Sequence, residues 1–174
     1  MTETIRRAFV EDAPGMARVH VDSWRTTYKG IVPDEVLANL SYEQREQMWR
    51  QGLSNPDRKT YEYVAKDERG RIVGFISGGP ERDGNLIYKG ELYAIYILKE
   101  AQHHGLGHRL TLTLVESLVQ TGLYSMLVWM LADNPSRRFY ESLGGKYVST
   151  KQYEAGGRKL DEIGYGWEDI RMLL

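Results

Sequence analysis

The stretch from Leu86 to Leu131 limits the folds open to this chain more than any other part of it. It reads as a β-rich run from Leu86 to Leu98, a polar turn at Lys99-Glu100, a loop with two glycines, an amphipathic helix, and a second apolar strand from Leu123 to Leu131. In the helix Leu106, Leu110, Leu114 and Leu118 recur every four residues, with Val115 and Val119 beside them, and Gly122 marks its end. Two strands joined through a helix cannot close as a hairpin. They are expected to run parallel, with the helix as a right-handed crossover on one face of the sheet.

The flanking segments have a different character. Thr4 to Val10 reads as a strand, and Asp12 is placed to cap a helix that carries Pro14 in its first turn. Ala13, Met16, Ala17, His20, Trp24 and Tyr28 line one side of that helix, and Gly30 and Pro33 break it. Ser41-Tyr42-Glu43-Gln44 has the pattern of a capping box opening a helix with Met48 and Trp49. Tyr61 to Ala65 and Ile72 to Ser77 flank Asp67-Glu68-Arg69-Gly70 as an antiparallel hairpin. Asn134-Pro135 is placed to cap a short helix reaching Leu143. Gly144-Gly145 turns the chain, and two strands follow near Lys146–Tyr153 and Leu160–Trp167. The expected class is therefore α+β (mixed α/β), a mixed sheet with helices on both faces. No repeat, low-complexity tract or linker divides the chain, so residues 1–174 are expected to form a single domain.

Composition removes several functions. The chain of 174 residues has no cysteine, which excludes disulfides, thiolate metal sites and a cysteine nucleophile. Lys and Arg number 23 against 24 Asp and Glu, a net charge of −1 without a basic stripe, which argues against nucleic acid as a partner. No apolar run approaches the roughly 18 residues of a membrane span, so no membrane association is expected. The first residues lack the apolar core of a secretory signal, so the expected location is cytoplasmic.

The chemistry is concentrated in Gln102-His103-His104-Gly105-Leu106-Gly107-His108. A strand runs into a loop with glycines one residue apart, and a helix begins there. Glycines allow close approach of the backbone to a ligand, and the first helical N–H groups have no intrahelical partners. Together with the helix dipole they suit a phosphate or pyrophosphate. From the glycines alone, a tight strand-to-helix turn without ligand is an equal alternative. The loop is neither a G-x-x-x-x-G-K-[ST] loop nor a dinucleotide fingerprint, whose third glycine would fall on Leu110.

Gln102-x-x-Gly105-x-Gly107, after a strand ending Ile95-Tyr96-Ile97, resembles the acyl-CoA pyrophosphate loop of the GNAT superfamily of N-acetyltransferases. A second element, Asn134-Pro135-Ser136-Arg137-Arg138-Phe139-Tyr140-Glu141-Ser142-Leu143-Gly144, follows at the family's distance and in the family's order. The chain departs from the usual pattern at Gly145, where Phe is common, at Gln102, where Arg is frequent, and at Pro135 after the Asn.

The resemblance implies a GNAT-like, largely antiparallel twisted sheet of about seven strands with a central β-α-β unit that binds acyl-CoA. It implies acetyl-CoA as cosubstrate, no metal, and direct attack of a primary amine on the thioester in a ternary complex. The cofactor arm would pair with the backbone at Ile95 and Ile97, with a main-chain N–H near Ile97 polarising the thioester carbonyl. The pyrophosphate would lie on the N–H groups of His103, His104, Gly105, Leu106, Gly107 and His108, next to Gln102. Asn134 would bond the cofactor arm, although it also suits a purely structural cap.

The family's Tyr maps onto Tyr140, protonated at neutral pH and able to give a proton to the departing thiolate. Core packing is the other use for that ring. Glu91, eleven residues before Gln102, stands where the histone-acetylating branch carries a general base. A solvated strand-end charge is the plain alternative, and Tyr93 or Tyr96 could instead support a water relay. Trp24 and Tyr28 are the candidates for the acceptor pocket, as against simple core residues. His104 and His108 have a helical spacing compatible with a metal, without a third ligand in view. The expected partner is a small-molecule or peptide amine, and the resemblance admits a homodimer. A non-catalytic CoA-binding sensor or partner-binding module on the same fold is the alternative function, and an O-acyl or longer-acyl transferase is a third.

Overall fold

The computed structural model describes residues 3–174. They form a seven-stranded sheet in the order β1-β2-β3-β4-β5-β7-β6. Its strands are β1 (Thr4–Arg7), β2 (Tyr61–Lys66), β3 (Ile72–Pro80), β4 (Gly90–Ile97), β5 (Met126–Leu131), β6 (Lys146–Ala155) and β7 (Arg158–Trp167). Five helices accompany them: α1 (Ala13–Thr27), α2 (Asp34–Ala38), α3 (Tyr42–Ser54), α4 (Leu106–Gln120) and α5 (Arg137–Ser142). Only β4 and β5 pair in parallel, on either side of the α4 crossover, and the other neighbours are antiparallel. The mixed, largely antiparallel sheet is thus the one the sequence implies.

Helices cover both faces. On one face α4 sets Leu106, Leu110, Leu114 and Leu118 into the core, all at most 1% exposed. On that side Ser117 of α4 hydrogen-bonds the Tyr63 hydroxyl of β2 at 2.6 Å. On the other face α1 and α3 pack through His20 and Trp49, whose rings meet Phe75 of β3. Val64 and Tyr96 pair with Phe75 in register and share its side of the sheet. The apolar stripes thus meet a sheet whose alternate residues face opposite ways.

Several local boundaries differ from the sequence reading. The first strand ends at Arg7, because residues 10–12 form a 3-10 turn that leads into α1. Asp12 does not cap α1. Its carboxylate accepts the Phe9 N–H at 2.9 Å and a two-pronged bond from Arg6, so it secures the turn before the helix. Ser41 does cap α3, accepting from the Gln44 N–H, but the Ser41 hydroxyl donates to Glu43. The strand expected from Leu86 begins at Gly90, because Asn85 takes the N–H groups of Ile87 and Tyr88 into a turn. Likewise β5 begins at Met126 rather than Leu123. The last two strands are longer than expected and meet at Gly156-Gly157, both with positive φ, as a two-residue hairpin requires. Among the described residues no helix is long and apolar enough to cross a membrane.

The central strands set up the site. β4 pairs with β5 only at Gly90, Glu91 and Leu92, opposite Met126, Leu127 and Val128. On its other edge β4 is bulged, because Ser77 pairs with Ala94 while Gly78 pairs with Leu92, leaving Tyr93 as the extra residue. Beyond the bulge β4 and β5 part. Gly78 permits this bend, since a Cβ there would lie 2.7 Å from the Glu91 carbonyl oxygen and 2.6 Å from Leu114. Gly78→Ala is therefore expected to lower stability by about 1–3 kcal/mol, the usual cost of overpacking, measured by denaturant unfolding. A change within a few tenths would show that the bulge tolerates a side chain.

Candidate active site

The gap between β4 and β5 is a cleft of about 820 Å³. Its walls come from residues 92–97 of β4 and 128–130 of β5, the start of α4, and the segment from Asn134 to Leu143. The backbone of β4 is open to it. Leu98 N–H bonds to Val73 across the β3 edge, so by strand alternation Ile95 and Ile97 turn their N–H and C=O groups the other way, toward the gap. The loop is tied to this strand end through the Gln102 amide, which donates to the Ile97 carbonyl at 2.9 Å. Gln102 therefore positions the loop.

The loop curls in an unusual way. His103 has φ +64 and Gly105 φ +79, two left-handed residues separated by one. The first helical bond of α4 is from Arg109 N–H to the Gly105 carbonyl. No backbone N–H from His103 through His108 has a partner within the chain, among the described residues. Such a curl at a helix start forms a concave anion site. A Cβ on Gly107 would meet Phe139 and Ile97 at 3.4–3.5 Å, ordinary contact distances. Packing within the chain thus does not call for glycine there, although glycine costs a helix about 1 kcal/mol against alanine. Space reserved for a ligand accounts for it, and the residues present fit a pyrophosphate.

Tyr140 lies on the far wall. It is buried at 5% exposure, edge-on to Phe139 and Trp167, and its hydroxyl has no hydrogen bond within the chain, among the described residues. Burial raises its pKa above the usual tyrosine value, with Tyr96 adding to the effect, so it is protonated at neutral pH. Tyr28 and Tyr96 also line the cleft. Burial raises both, and each hydroxyl already accepts one bond, from Asn134 Nδ2 at 3.1 Å and from Trp24 Nε1 at 2.9 Å respectively. Their O–H groups remain free to donate. His20 stacks on Tyr96 at 4.7 Å from behind, and its pKa is pushed down to about 3 by burial and the nearby Arg45, so it stays neutral.

The sequence-derived candidates fall into groups. Ile95, Ile97, Gln102, His103, Gly105, Gly107, His108, Asn134, Tyr140 and Tyr28 all line the cleft. Leu106 is buried beneath the loop and His104 is exposed beside it, and neither lines the cleft. Asn134 does not cap α5, whose N-cap position is Ser136, so Pro135 precedes the helix. Its amide oxygen takes the Ser136 N–H in a turn, and its nitrogen holds Tyr28. Trp24 stands behind Tyr96 rather than in the cleft. No group of three or more His, Asp or Glu suited to a metal occurs among the described residues.

Glu91 is placed differently from the sequence reading. It does not line the cleft, because it lies where β4 is still paired with β5, opposite Leu127, before the strands part. Its carboxylate is closed by Arg82, which donates from Nη2 at 2.6 Å and from Nε and the backbone N–H at 3.2 Å. Three donors therefore already occupy this carboxylate. Tyr93, considered from the sequence for a water relay, also lines the cleft, whereas sequence reasoning missed Ser23, Thr27 and Arg138 in the walls, since no local pattern distinguishes them.

Comparison with known proteins places this geometry. The family model described as FR47-like protein matches residues 85–154, the β4-α4-β5 unit through β6. The chain is 42% identical to the uncharacterized N-acetyltransferase YuaI of Bacillus subtilis (strain 168), over 98% of this chain and 95% of that one. The chain belongs to the GNAT superfamily of N-acetyltransferases. Solved GNAT structures share its fold at low identity. An N-acetyltransferase from Staphylococcus aureus Mu50 superposes with a TM-score of 0.74 at 18% identity, covering 98% of this chain and 99% of that one. The PaiA N-acetyltransferase of Thermoplasma acidophilum, in complex with coenzyme A, gives 0.72 at 19% identity, covering 96% and 100%. In this GNAT chain, Gly107→Glu puts a carboxylate into the loop while Gly107→Ala fits. Loss of acetyl-CoA binding by calorimetry is expected for the first, and weaker binding for the second because its methyl suits the chain's own packing but takes ligand space, both remaining folded by circular dichroism. Binding retained by Gly107→Glu would refute the loop assignment.

Proposed function

We propose that this protein transfers an acetyl group from acetyl-CoA to a primary amine, with both bound together in the cleft. The observation that carries this reading is one run of unpaired N–H groups, His103 to His108, beside an open β4 edge and a buried tyrosine hydroxyl in the same cleft. The coenzyme A held by the Thermoplasma relative supports the same ligand class here.

Acetyl-CoA, when bound, supplies an activated thioester carbonyl. The loop N–H groups and the α4 dipole hold the pyrophosphate, and Arg138 adds a positive charge in the wall. Ile95 and Ile97 offer the backbone groups that a β-like arm needs. Of these the Ile97 N–H is placed to take negative charge developing on the carbonyl oxygen. Tyr140 gives its proton to the sulfur that departs, and the proton shed by the attacking nitrogen restores the phenol or passes to solvent; its hydroxyl is protonated, opens on the cleft and has no other partner among the described residues. The absence of cysteine agrees with direct attack on the thioester.

The amine reacts as the free base. The cleft is lined by apolar walls and neutral hydroxyls, which disfavour an ammonium ion by desolvation. Because Arg82 occupies Glu91, the rate is set by the unprotonated fraction of the acceptor. For an alkyl amine with pKa about 10.4, kcat/KM is expected to rise about tenfold per pH unit from pH 6 to 9, in both wild type and Glu91→Gln. A plateau near neutrality that Glu91→Gln abolishes would return the base role to Glu91.

Calorimetric titration with acetyl-CoA, against NAD and ATP as controls, followed by thiol release with a panel of amines, tests the activity. The protein has no thiol of its own, so the signal is clean. Tyr140→Phe is expected to lower kcat about 10²-fold or more with acetyl-CoA affinity preserved. An unchanged kcat would remove Tyr140 as the acid.

A further inference from the structure

A second cavity of about 300 Å³ adjoins the cleft through Leu92, Tyr93 and Trp129, which line both. It is strongly polar, and its charged residues are Arg82, Asp83, Glu91, Lys151 and Glu162. Arg82 and Glu91 form a closed pair, and the Arg82 guanidinium also lies 4.1 Å over the Tyr93 ring. The remaining three groups carry two negative charges and one positive.

That positive charge is informative. The Lys151 ammonium stands 4.0 Å from the Trp129 ring centre, 3.6 Å from Glu162 and 3.7 Å from Asp83. An aromatic face and two carboxylates around a primary ammonium are a recognition site for that group. Yet Lys151 makes no direct hydrogen bond there, and its side chain is 42% exposed. Glu162, whose side chain is only 22% exposed, accepts no hydrogen bond within the chain, among the described residues. Its charge also raises Tyr28 and Tyr96, so it lies within electrostatic reach of the hydroxyls of the cleft. A weakly held lysine, a half-buried carboxylate with open lone pairs and an excess negative charge describe a cation site filled by a displaceable stand-in.

The geometry points to an acceptor with two positive charges, an alkyl diamine or a longer polyamine, whose second ammonium enters this cavity beside Glu162 and Trp129 while its reacting amine lies in the cleft. This rests on the acetyltransferase reading and adds the class of acceptor to it. An anionic acceptor group would enter against the net charge, and both cations already have partners.

The test compares diaminobutane, butylamine and γ-aminobutyrate by thiol release. Wild type is expected to favour diaminobutane over butylamine by about threefold or more in kcat/KM, as an ion pair in a partly exposed site allows. Glu162→Gln is expected to bring that ratio close to one. Lys151→Ala is expected to increase it through a lower KM for the diamine, because the competing ammonium is gone, an effect that mere loss of structure cannot produce. Equal use of diamine and monoamine by wild type, preference for γ-aminobutyrate, or a ratio unmoved in both variants would overturn the proposal. If no amine is acetylated, the acetyltransferase reading fails. Calorimetry then decides the cavity separately: diaminobutane binding to the CoA-saturated protein that Glu162→Gln abolishes would uphold it, and no binding would overturn it.

Discussion

Everything at this site depends on the parting of β4 from β5 after three paired residues. A parallel pair that stayed together would satisfy its backbone groups internally and leave no edge for a ligand. The bulge at Tyr93 turns β4 away, and Gly78 makes room for the bend against Leu114 and the Glu91 carbonyl. Once the strands diverge, the N–H and C=O groups of Ile95 and the N–H of Ile97 face the gap, the Ile97 carbonyl accepting from Gln102, and the start of α4 stands at the end of the gap. An open strand edge of this kind is a template for a further strand-like partner. A ligand arm carrying amide groups fits that role.

The loop and the cleft are coupled. Gln102 bonds the last carbonyl of β4, so the curl at His103 and Gly105 is fixed relative to the open edge. His103, a non-glycine residue held at φ +64, carries a local strain, while Gly105 adopts the left-handed conformation without cost. On the opposite side, Trp24 and Asn134 hold the Tyr96 and Tyr28 hydroxyls by donating to them. The result is a cleft with a polar loop at one end and oriented, neutral hydroxyls along its walls.

Much of this was legible in the sequence, because periodicity and spacing are local properties. The leucines of α4 at intervals of four, the hairpin at Asp67-Gly70 and the β-α-β order were readable since each is set by neighbours within a few residues. The glycine loop and Tyr140 were readable only as a pattern, and the structure brings them into one cleft. What escaped was long-range. Nothing near Glu91 in sequence announces that Arg82 would fold back onto it, or that β4 would still be paired with β5 at that residue. Asp12 and Asn134 had the right chemistry for helix caps, but Asp12 is taken by Arg6 and the Phe9 N–H in the preceding turn, and Asn134 by the Ser136 N–H and the distant Tyr28 hydroxyl. The Lys151–Trp129–Glu162 cage joins three residues from three strands, and only the register of the sheet brings them together.

The most direct test of the central claim is amide hydrogen exchange with and without acetyl-CoA. Binding on the open β4 edge and the curled loop predicts slowed exchange at Ile95, Ile97 and the amides from His103 to His108, with little change in β1, β2 and the β6-β7 hairpin. Protection confined to other segments, with those amides unchanged, would contradict the assignment of the cleft.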